Sequence, residues 1–469
     1  MTRRTKIVCT IGPASDSEEM IAKLIAAGMN VARLNFSHGT TQYQRDLVRK
    51  IKQVRKALNK PVAILQDLQG PKIRIGIIEN GFVQLQPGQE FILTANDVPG
   101  DANRVSVSLK SLPHEVKVGH PILLADGNIE LRVEKIVPPD IHCRVIVGGL
   151  LSSHKGINLP GSEVHVDSLT EKDRKDIAVG LEEGVDAIAL SFVRSASDIL
   201  TCKTVIDDHG GHVPIVAKIE KHEAVNNIDS IVAASQAVMV ARGDLGVEID
   251  LEKVPLVQKS IIRKCNALGK PVITATQMLQ RMVDNPRPTR AEATDVANAI
   301  LDGTDAVMLS EETAAGKYPA EAVMMMDRIA RSAESALDEL KFENIPIESG
   351  TSDAISRASY FIAKEIGAAA IITPTWSGST ACLVSRFRPK QAIVATTPNE
   401  AALDFLSLCW GVIPLLIPPS DSLDDMVRSS INAARNAGYI ESGQQVIITG
   451  GAPLHVAGKT NFIKVDRVD

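Results

Sequence analysis

One pattern recurs eight times in this chain: a short aliphatic strand ending in a polar residue, a helical segment, then another such strand. The strands read at 6–12 (KIVCTIG), 30–36 (NVARLNF), 62–68 (VAILQDL), 186–192 (DAIALSF), 214–220 (PIVAKIE), 237–244 (AVMVARGD), 271–277 (PVITATQ) and 305–312 (DAVMLSEE). Ser15-x-x-Glu18 and Thr289-x-x-Glu292 read as capping boxes that open two of the helices. Eight strand–helix units in series predict a closed (β/α)8 barrel of the TIM type. Composition agrees. Aromatic residues make up only 3%, so the cores are filled by aliphatic side chains, as suits parallel strands covered by helices.

The third unit is interrupted. From about 70 to 166 the helical period gives way to the alternation of antiparallel strands, and Asp126-Gly127 between apolar runs signals a hairpin turn. This predicts a small all-β domain inserted in a barrel loop, where lids over barrel sites are often found. A long helix at roughly 319–340 leads to a Pro/Gly-containing joint at 341–351 (KFENIPIESGT). Strands and helices alternate again beyond it, with strands at 368–375, 392–397, 412–417, 445–451 and 461–466, which predicts an open-sheet α/β domain. The expected organisation is a barrel of 1–69 and 167–345, a β-barrel lid of 70–166 and a C-terminal α/β domain of 346–469. The 469 residues suit three domains at about 150 residues each.

Charge and cysteine usage exclude several classes. A formal net charge of -5 and a pI near 6.1 do not suit a nucleic-acid binder. The basic start Met1-Thr2-Arg3-Arg4 is followed by an apolar stretch broken by Thr10 and Gly12, too short for a signal peptide. No apolar run is long enough for a membrane span. The six cysteines are scattered without a CxxC, so neither disulfides nor a thiolate zinc site is expected, and a cytoplasmic location is the default.

A barrel places its active site at the C-terminal strand ends. Polar residues collect there: Arg33, Asn35, Asp67, Ser191, Lys218, Glu220, Asp244, Thr276 and Ser310. Any one of them could be a cap or turn former; a succession of strands ending this way points to a site. Lys218 and Glu220, two apart in a strand, face the same side, while Ile219 faces the helix layer. They could be an internal ion pair, or a cation and a metal ligand aimed at one substrate. Asp244 in ARGDLG favours the second. Two carboxylates from adjacent strands without His or Cys suit Mg2+, a hard cation that prefers oxygen, and the flanking glycines let backbone N–H groups approach an anion. Arg33, Arg74, Lys218 and Arg242 are the basic residues of this rim. Together with a divalent ion they could neutralise a phosphorylated acid, and phosphoryl transfer needs mainly positioning and charge stabilisation from the protein.

The stretches KIVCTIGP, MNVARLNFSHG, QGPKIR, KGINLPG, SFVR, AKIE, VMVARGDLGVE, ITATQML, NPRPTRAEATDVANAILDGTDAVMLSEETAAGKYP and TNFIKV resemble the bacterial-type pyruvate kinases, in that family's order and over the whole chain. The resemblance implies phosphoryl transfer from phosphoenolpyruvate to ADP with Mg2+, or in its place Mn2+. It implies that Arg33 holds the transferred phosphoryl group and that Lys218 stabilises its charge and that of the enolate. Glu220 and Asp244 then ligate Mg2+, the Gly243 and Asp244 N–H groups hold the substrate carboxylate, Ser191 lines the substrate site, and Thr276 sits where the enolate is protonated. Asn35, His38, Arg74 and Lys155 fall to the nucleotide. Asn35, Ser37, Asp67 and the Leu68 backbone match a monovalent-cation site. Arg290 is expected near a neighbouring subunit of a homotetramer, with Thr289 and Glu292 acting as a cap.

Three positions depart from the family pattern. Many members have Glu at Lys72, Thr at Leu68 and Gly at Glu311. Lys72 is expected to place a fixed ammonium at the monovalent-cation site, so that K+ is not required. Glu311 would be strained if the family's glycine there has positive φ. In the C-terminal domain, Thr375, Ser377, Gly378, Ser379 and Thr380 resemble an effector-phosphate loop, and 450–461 resembles its partner loop. A sugar monophosphate or AMP is the expected activator. Two other functions remain open to the residues: a Schiff-base aldolase using Lys218, and a catalytically inactive metabolite sensor.

Overall fold

The computed structural model describes residues 3–162, 166–337, 350–454 and 458–469. Eight parallel strands close into a barrel: Lys6–Ile11, Val31–Asn35, Ala63–Asp67, Ala187–Leu190, Ile215–Ile219, Ala237–Ala241, Val272–Ala275 and Ala306–Leu309. The seam is made by the first and last, with Lys6 in register with Ala306. The third pairs with the fourth across the whole inserted segment. Alternation along each strand builds two apolar layers. Ile7, Cys9, Ile64 and Ile219 pack outward against the helices. Val8, Val31, Leu65, Val216, Met239 and Ile273 fill the bore.

The helices begin where the sequence offers caps, with one correction. Thr289 and Glu292 form a reciprocal capping box on Arg290–Leu301. The first helix, Glu18–Ala27, is capped by Ser17, whose side chain accepts the Met20 N–H, and not by Ser15. The Ser15 hydroxyl is turned back to the Gly12 N–H at 3.1 Å, because Ser17 lies closer to the free N–H groups of the first turn. The helix expected over 319–340 runs Pro319–Glu334. The joint at 341–351 lies outside the described residues except for Gly350 and Thr351.

The inserted segment forms a six-stranded sheet beside a two-stranded ribbon of Phe82–Leu85 and Gly149–Ser152. The outermost strands, Ile157–Asn158 and Arg104–Ser106, are only 2 and 3 residues long, and the chain at 73–76 bridges to both sides, Arg74 to Gly156 and Ile75 to Val107. Its hairpin turn does fall at Asp126-Gly127, where Asp126 (φ 57°) and Gly127 (φ 85°) both have the positive φ such turns demand. The C-terminal segment forms a five-stranded sheet whose last strand, Phe462–Arg467, is antiparallel.

That C-terminal domain closes the N-terminal end of the barrel. Its Phe405 and Leu408 join the apolar cluster of the bore. A polar joint surrounds them. The Asp305 carboxylate accepts from the Trp410 N–H at 3.2 Å and the Val272 N–H at 3.0 Å, and pairs with Arg388 at 3.2 Å. Trp410, 1% exposed, lies between the guanidinium groups of Arg4 and Arg388, 5.4 and 5.0 Å from its ring. Asp305 and Arg388 are both buried, and a buried carboxylate deprived of its cation costs about 3–5 kcal/mol. Arg388→Ala is therefore expected to lower the thermal midpoint by several degrees, read by circular dichroism. An unchanged midpoint would show that the pair does not hold the two domains together.

Candidate active site

The charged side chains at the strand ends converge on Asp67. This residue ends the third strand and is 1% exposed. Its Oδ2 accepts from Arg33 Nε at 2.6 Å, and its Oδ1 accepts from Lys218 Nζ at 3.1 Å. Arg33 is further fixed by the Thr10 hydroxyl at 2.9 Å. Lys218 also donates to Ser191 Oγ at 2.7 Å and lies 2.9 Å from Glu220 Oε1. Ser191 Oγ donates to the Leu68 carbonyl at 2.7 Å. The second Glu220 oxygen accepts the Phe192 N–H at 2.8 Å, from a residue held at φ 55°. Groups from five of the strands or the residues that follow them thus form one connected network.

Electrostatics set the protonation of each member. Burial would raise the Asp67 carboxyl, but Arg33 and Lys218 outweigh it and hold it below the usual range. Burial would likewise lower Lys218, yet Asp67 and Glu220 hold its ammonium above the usual range. Glu220 moves the other way. Burial and the like charge of Asp244 push it up against the pull of Lys218. A divalent cation between Glu220 and Asp244 would relieve both effects, and two carboxylates without His or Cys suit a hard ion. The donor set therefore fits Mg2+.

Other expected residues fall into groups around this network. Asn35 and Asp67 are register partners on adjacent strands. Asn35 Oδ1 accepts the Ser37 N–H at 3.1 Å, and the His38 N–H reaches the Asn35 carbonyl at 3.3 Å. Arg74 and Lys155 lie on adjoining stretches of the lid hinge. Arg74 bridges to Gly156 and its Nη1 donates to the His154 carbonyl at 3.1 Å, while the Lys155 carbonyl accepts the Ile75 N–H. Asp244 lies in the first turn of the helix Arg242–Glu248, just beyond the strand end expected for it. The Lys72 ammonium stands 3.7 Å from Asp244 and 3.9 Å from Asp126 of the lid hairpin, so its ion partners lie on the Asp244 side of the mouth and in the lid.

Arg242 requires a correction. It does not reach the mouth as a free cation, because backbone carbonyls and Asp295 hold it. Its Nε donates to the Ala275 carbonyl at 3.1 Å, its Nη2 to the Thr276 carbonyl at 2.7 Å, and its Nη1 to Asp295 at 2.7 Å. These contacts brace Thr276 and Gln277, at φ 68° and 53°. A β-branched residue at positive φ costs about 1–3 kcal/mol and persists only where its surroundings enforce it. The Thr276 hydroxyl accepts the Gly243 N–H at 2.8 Å and donates to the Ala275 carbonyl at 2.6 Å. Glu311, by contrast, carries no such strain. It opens the helix Glu311–Ala314 without positive φ and accepts from Gln280 at 2.8 Å.

Sequence reasoning missed Thr10, Phe192 and the lid contact in which Glu248 accepts from Lys221 at 2.8 Å and Asn158 at 3.0 Å. Thr10 could have been found, since it is a polar residue near the end of the first strand; Phe192 carries no signal in its residue type.

The C-terminal loop also has a site-like form. Thr375, Trp376, Ser377, Ser379 and Thr380 line a cleft of about 570 Å³ whose one basic side chain, among the described residues, is Lys459. Gly378, at φ 88°, caps the 7-residue helix Ser379–Ser385, so Ser379 is its first residue and not its cap.

The fold and the strand-end network define a phosphotransferase built on a (β/α)8 barrel. Comparison with known proteins agrees. The model of the pyruvate kinase barrel domain matches residues 2–323, and that of the pyruvate kinase alpha/beta domain matches 353–466. The chain is 45% identical to a pyruvate kinase of Clostridium acetobutylicum over 100% of both chains. It is 48% identical to those of Geobacillus stearothermophilus and Staphylococcus aureus, over 99% of this chain and 80% of each relative. The chain belongs to the pyruvate kinase family, the glycolytic kinases that act on phosphoenolpyruvate and ADP and depend on a divalent metal.

The raised Glu220 carboxyl has a consequence for that metal. If Glu220 holds the metal, protons compete with the cation for its oxygens, and the half-saturating Mg2+ concentration should fall as pH rises through the window above the ordinary glutamate range. Glu220→Gln should weaken Mg2+ binding and flatten that dependence. Identical Mg2+ titrations of variant and parent at every pH would place the metal elsewhere.

Proposed function

We propose that the chain transfers the phosphoryl group of phosphoenolpyruvate to ADP at the Asp67 network, with Mg2+ held by Glu220 and Asp244 (Mn2+ serving in its place). The observation that carries this reading is the Lys218 ammonium, buried between Asp67 and Glu220 and held charged by both. A bound divalent ion supplies positive charge beside the phosphoryl oxygens. Arg33, its plane fixed by Asp67 and Thr10, grips the phosphoryl group. Lys218 stabilises the charge in flight and on the enolate left behind. Ser191 orients Lys218, and the Gly243–Asp244 backbone receives the substrate carboxylate. Thr276 stands beside the enolate carbon that takes up a proton. Asn35, His38, Arg74 and Lys155 serve the nucleotide, the last two from the lid hinge.

A Schiff-base mechanism needs a neutral lysine, and two carboxylates hold Lys218 as an ammonium. A catalytically inactive sensor would not need the full set of Arg33, Lys218, Glu220, Asp244 and Thr276. The domains divide at 1–69 with 167–345, 70–166 and 346–469. A homotetramer is the assembly this reading favours: Leu251 and Leu256, 72% and 69% exposed, are apolar surface a neighbour would cover, and Arg290 is exposed too. No helix among the described residues is long and apolar enough to cross a membrane, consistent with a cytoplasmic enzyme.

Lys218→Ala tests the reaction. The variant should keep the parent's circular dichroism and lose turnover by at least about 10²-fold, because a preorganised charge on the developing anion is removed. Parental turnover would refute the assignment.

Potassium is not required on this reading. The GPKIR motif supports it, and Lys72 does bring a fixed ammonium to the mouth, on its Asp244 side. The enzyme should turn over in a tetramethylammonium buffer free of K+. Strict dependence on added K+ would overturn the proposal.

The C-terminal cleft takes a phosphorylated activator, with a sugar monophosphate or AMP ahead of a bisphosphate. Lys459, the basic side chain of the cleft among the described residues, matches one phosphate, and the hydroxyls of Thr375, Ser377, Ser379 and Thr380 supply donors. The Ser377→Ala/Ser379→Ala variant should lose the activator's effect on phosphoenolpyruvate half-saturation while keeping basal turnover. Activation equal to the parent's would move the effector elsewhere.

A further inference from the structure

Two of the six cysteines meet. Cys382, on the helix Ser379–Ser385, and Cys409, one residue before the buried Trp410, place their sulfurs 2.8 Å apart. Both are free thiols, 27 residues apart in sequence. All six are buried: Cys9, Cys202 and Cys265 in the barrel core, Cys143 in the lid core, and Cys382 and Cys409 together in the core of the C-terminal domain. The Cys382–Cys409 pair borders a small crevice between the barrel and the C-terminal domain, shared with Lys270, Asp305, Arg386 and Arg388. Arg386 and Arg388 are paired there with Asp353 and Asp305. The two sulfurs are not equivalent. Cys382 is 9% exposed and interacts with the Lys270 charge; Cys409 is fully buried.

We infer that Cys382 and Cys409 form a reversible redox modification site, in which a small hydroperoxide oxidises the pair to a disulfide. The Cys382 sulfur attacks the peroxide: an S–O bond forms, the O–O bond breaks, and the leaving hydroxide takes the Cys382 proton to become water. Cys409 then attacks the Cys382 sulfenic sulfur. The S–S bond forms, the S–O bond breaks, and the departing hydroxide takes the Cys409 proton as a second water. Two thiols lose two electrons and two protons, and one hydrogen peroxide becomes two waters. Burial of both sulfurs shuts out a bulky disulfide such as glutathione disulfide, so the oxidant of this proposal is a small one. Closing to a disulfide length of about 2.05 Å needs little movement from the 2.8 Å contact. The bond fastens the helix below the Thr375–Thr380 loop to the segment carrying Trp410, whether or not that loop binds an effector. A dithiol reductant reverses it, as befits the few disulfides that form in reducing compartments.

Titrating the full-length protein with hydrogen peroxide, alkylating the remaining thiols and mapping non-reduced peptides by mass spectrometry tests this. The expected result is a peptide linking Cys382 to Cys409, formed before the other four cysteines react and released by dithiothreitol. Glutathione disulfide at the same concentration should give none. In Cys409→Ser, Cys382 should stop at the sulfenic acid and be trapped by dimedone. Irreversible over-oxidation of Cys382 without a linked peptide, or prior oxidation of the other four, would overturn the inference. So would a protein left unoxidised at every peroxide concentration short of unfolding.

Discussion

Asp67 carries a full negative charge, almost out of reach of water, at the mouth of the barrel. A carboxylate in such a place survives only with compensating cations, and two are supplied from different strands: Arg33 at 2.6 Å and Lys218 at 3.1 Å. The cations in turn depend on Asp67. Without it, Lys218 would face only Glu220, whose own carboxyl is already pushed up by burial. The mouth is therefore a set of mutually enforced charges. Such a set is rigid before substrate arrives, and that is the property catalysis by electrostatic preorganisation demands.

The opposite end of the barrel follows the same logic with different chemistry. Asp305 is buried there against Arg388 and the Trp410 backbone, and Phe405 and Leu408 fill the bore above it. One strand spans the two ends. Val272 donates to Asp305 at its start, and Ala275 accepts from Arg242 at its finish, beside Thr276. Ahead of that strand, Gly269 packs so closely on the C-terminal domain that an added Cβ would lie 2.9 Å from Leu383. The C-terminal helix that bears Leu383 and the Thr276 corner are thus joined by continuous packed backbone.

Much of this was legible in the sequence because aliphatic strands and polar strand ends follow directly from side-chain periodicity. The barrel, Asp67, Lys218 and Glu220 could be placed from that pattern. What escaped it depends on where a flexible side chain turns. Arg242 stands in a motif with Asp244, yet its guanidinium folds back onto two carbonyls and Asp295. Lys72 reaches towards Asp244 and the lid because the hinge backbone points it there. Ser15 and Ser17 are equally good capping residues, and only the backbone path selects Ser17. The positive φ of Phe192 and Thr276 has no signature in residue type, because it is imposed by the partners of neighbouring groups. The Cys382–Cys409 contact is a tertiary event between segments 27 residues apart.

The central claim is that the Asp67 charge organises the catalytic cations. Asp67→Asn tests it most directly, since the amide keeps the carboxylate's shape and removes its charge. The amide also turns one acceptor oxygen into a donor, which faces Arg33 or Lys218, so steady-state turnover with saturating phosphoenolpyruvate and ADP is measured alongside a thermal melt that confirms the fold. The account expects turnover to fall by about 10²-fold or more in a variant that remains folded. A folded Asp67→Asn enzyme with turnover equal to the parent's would contradict it.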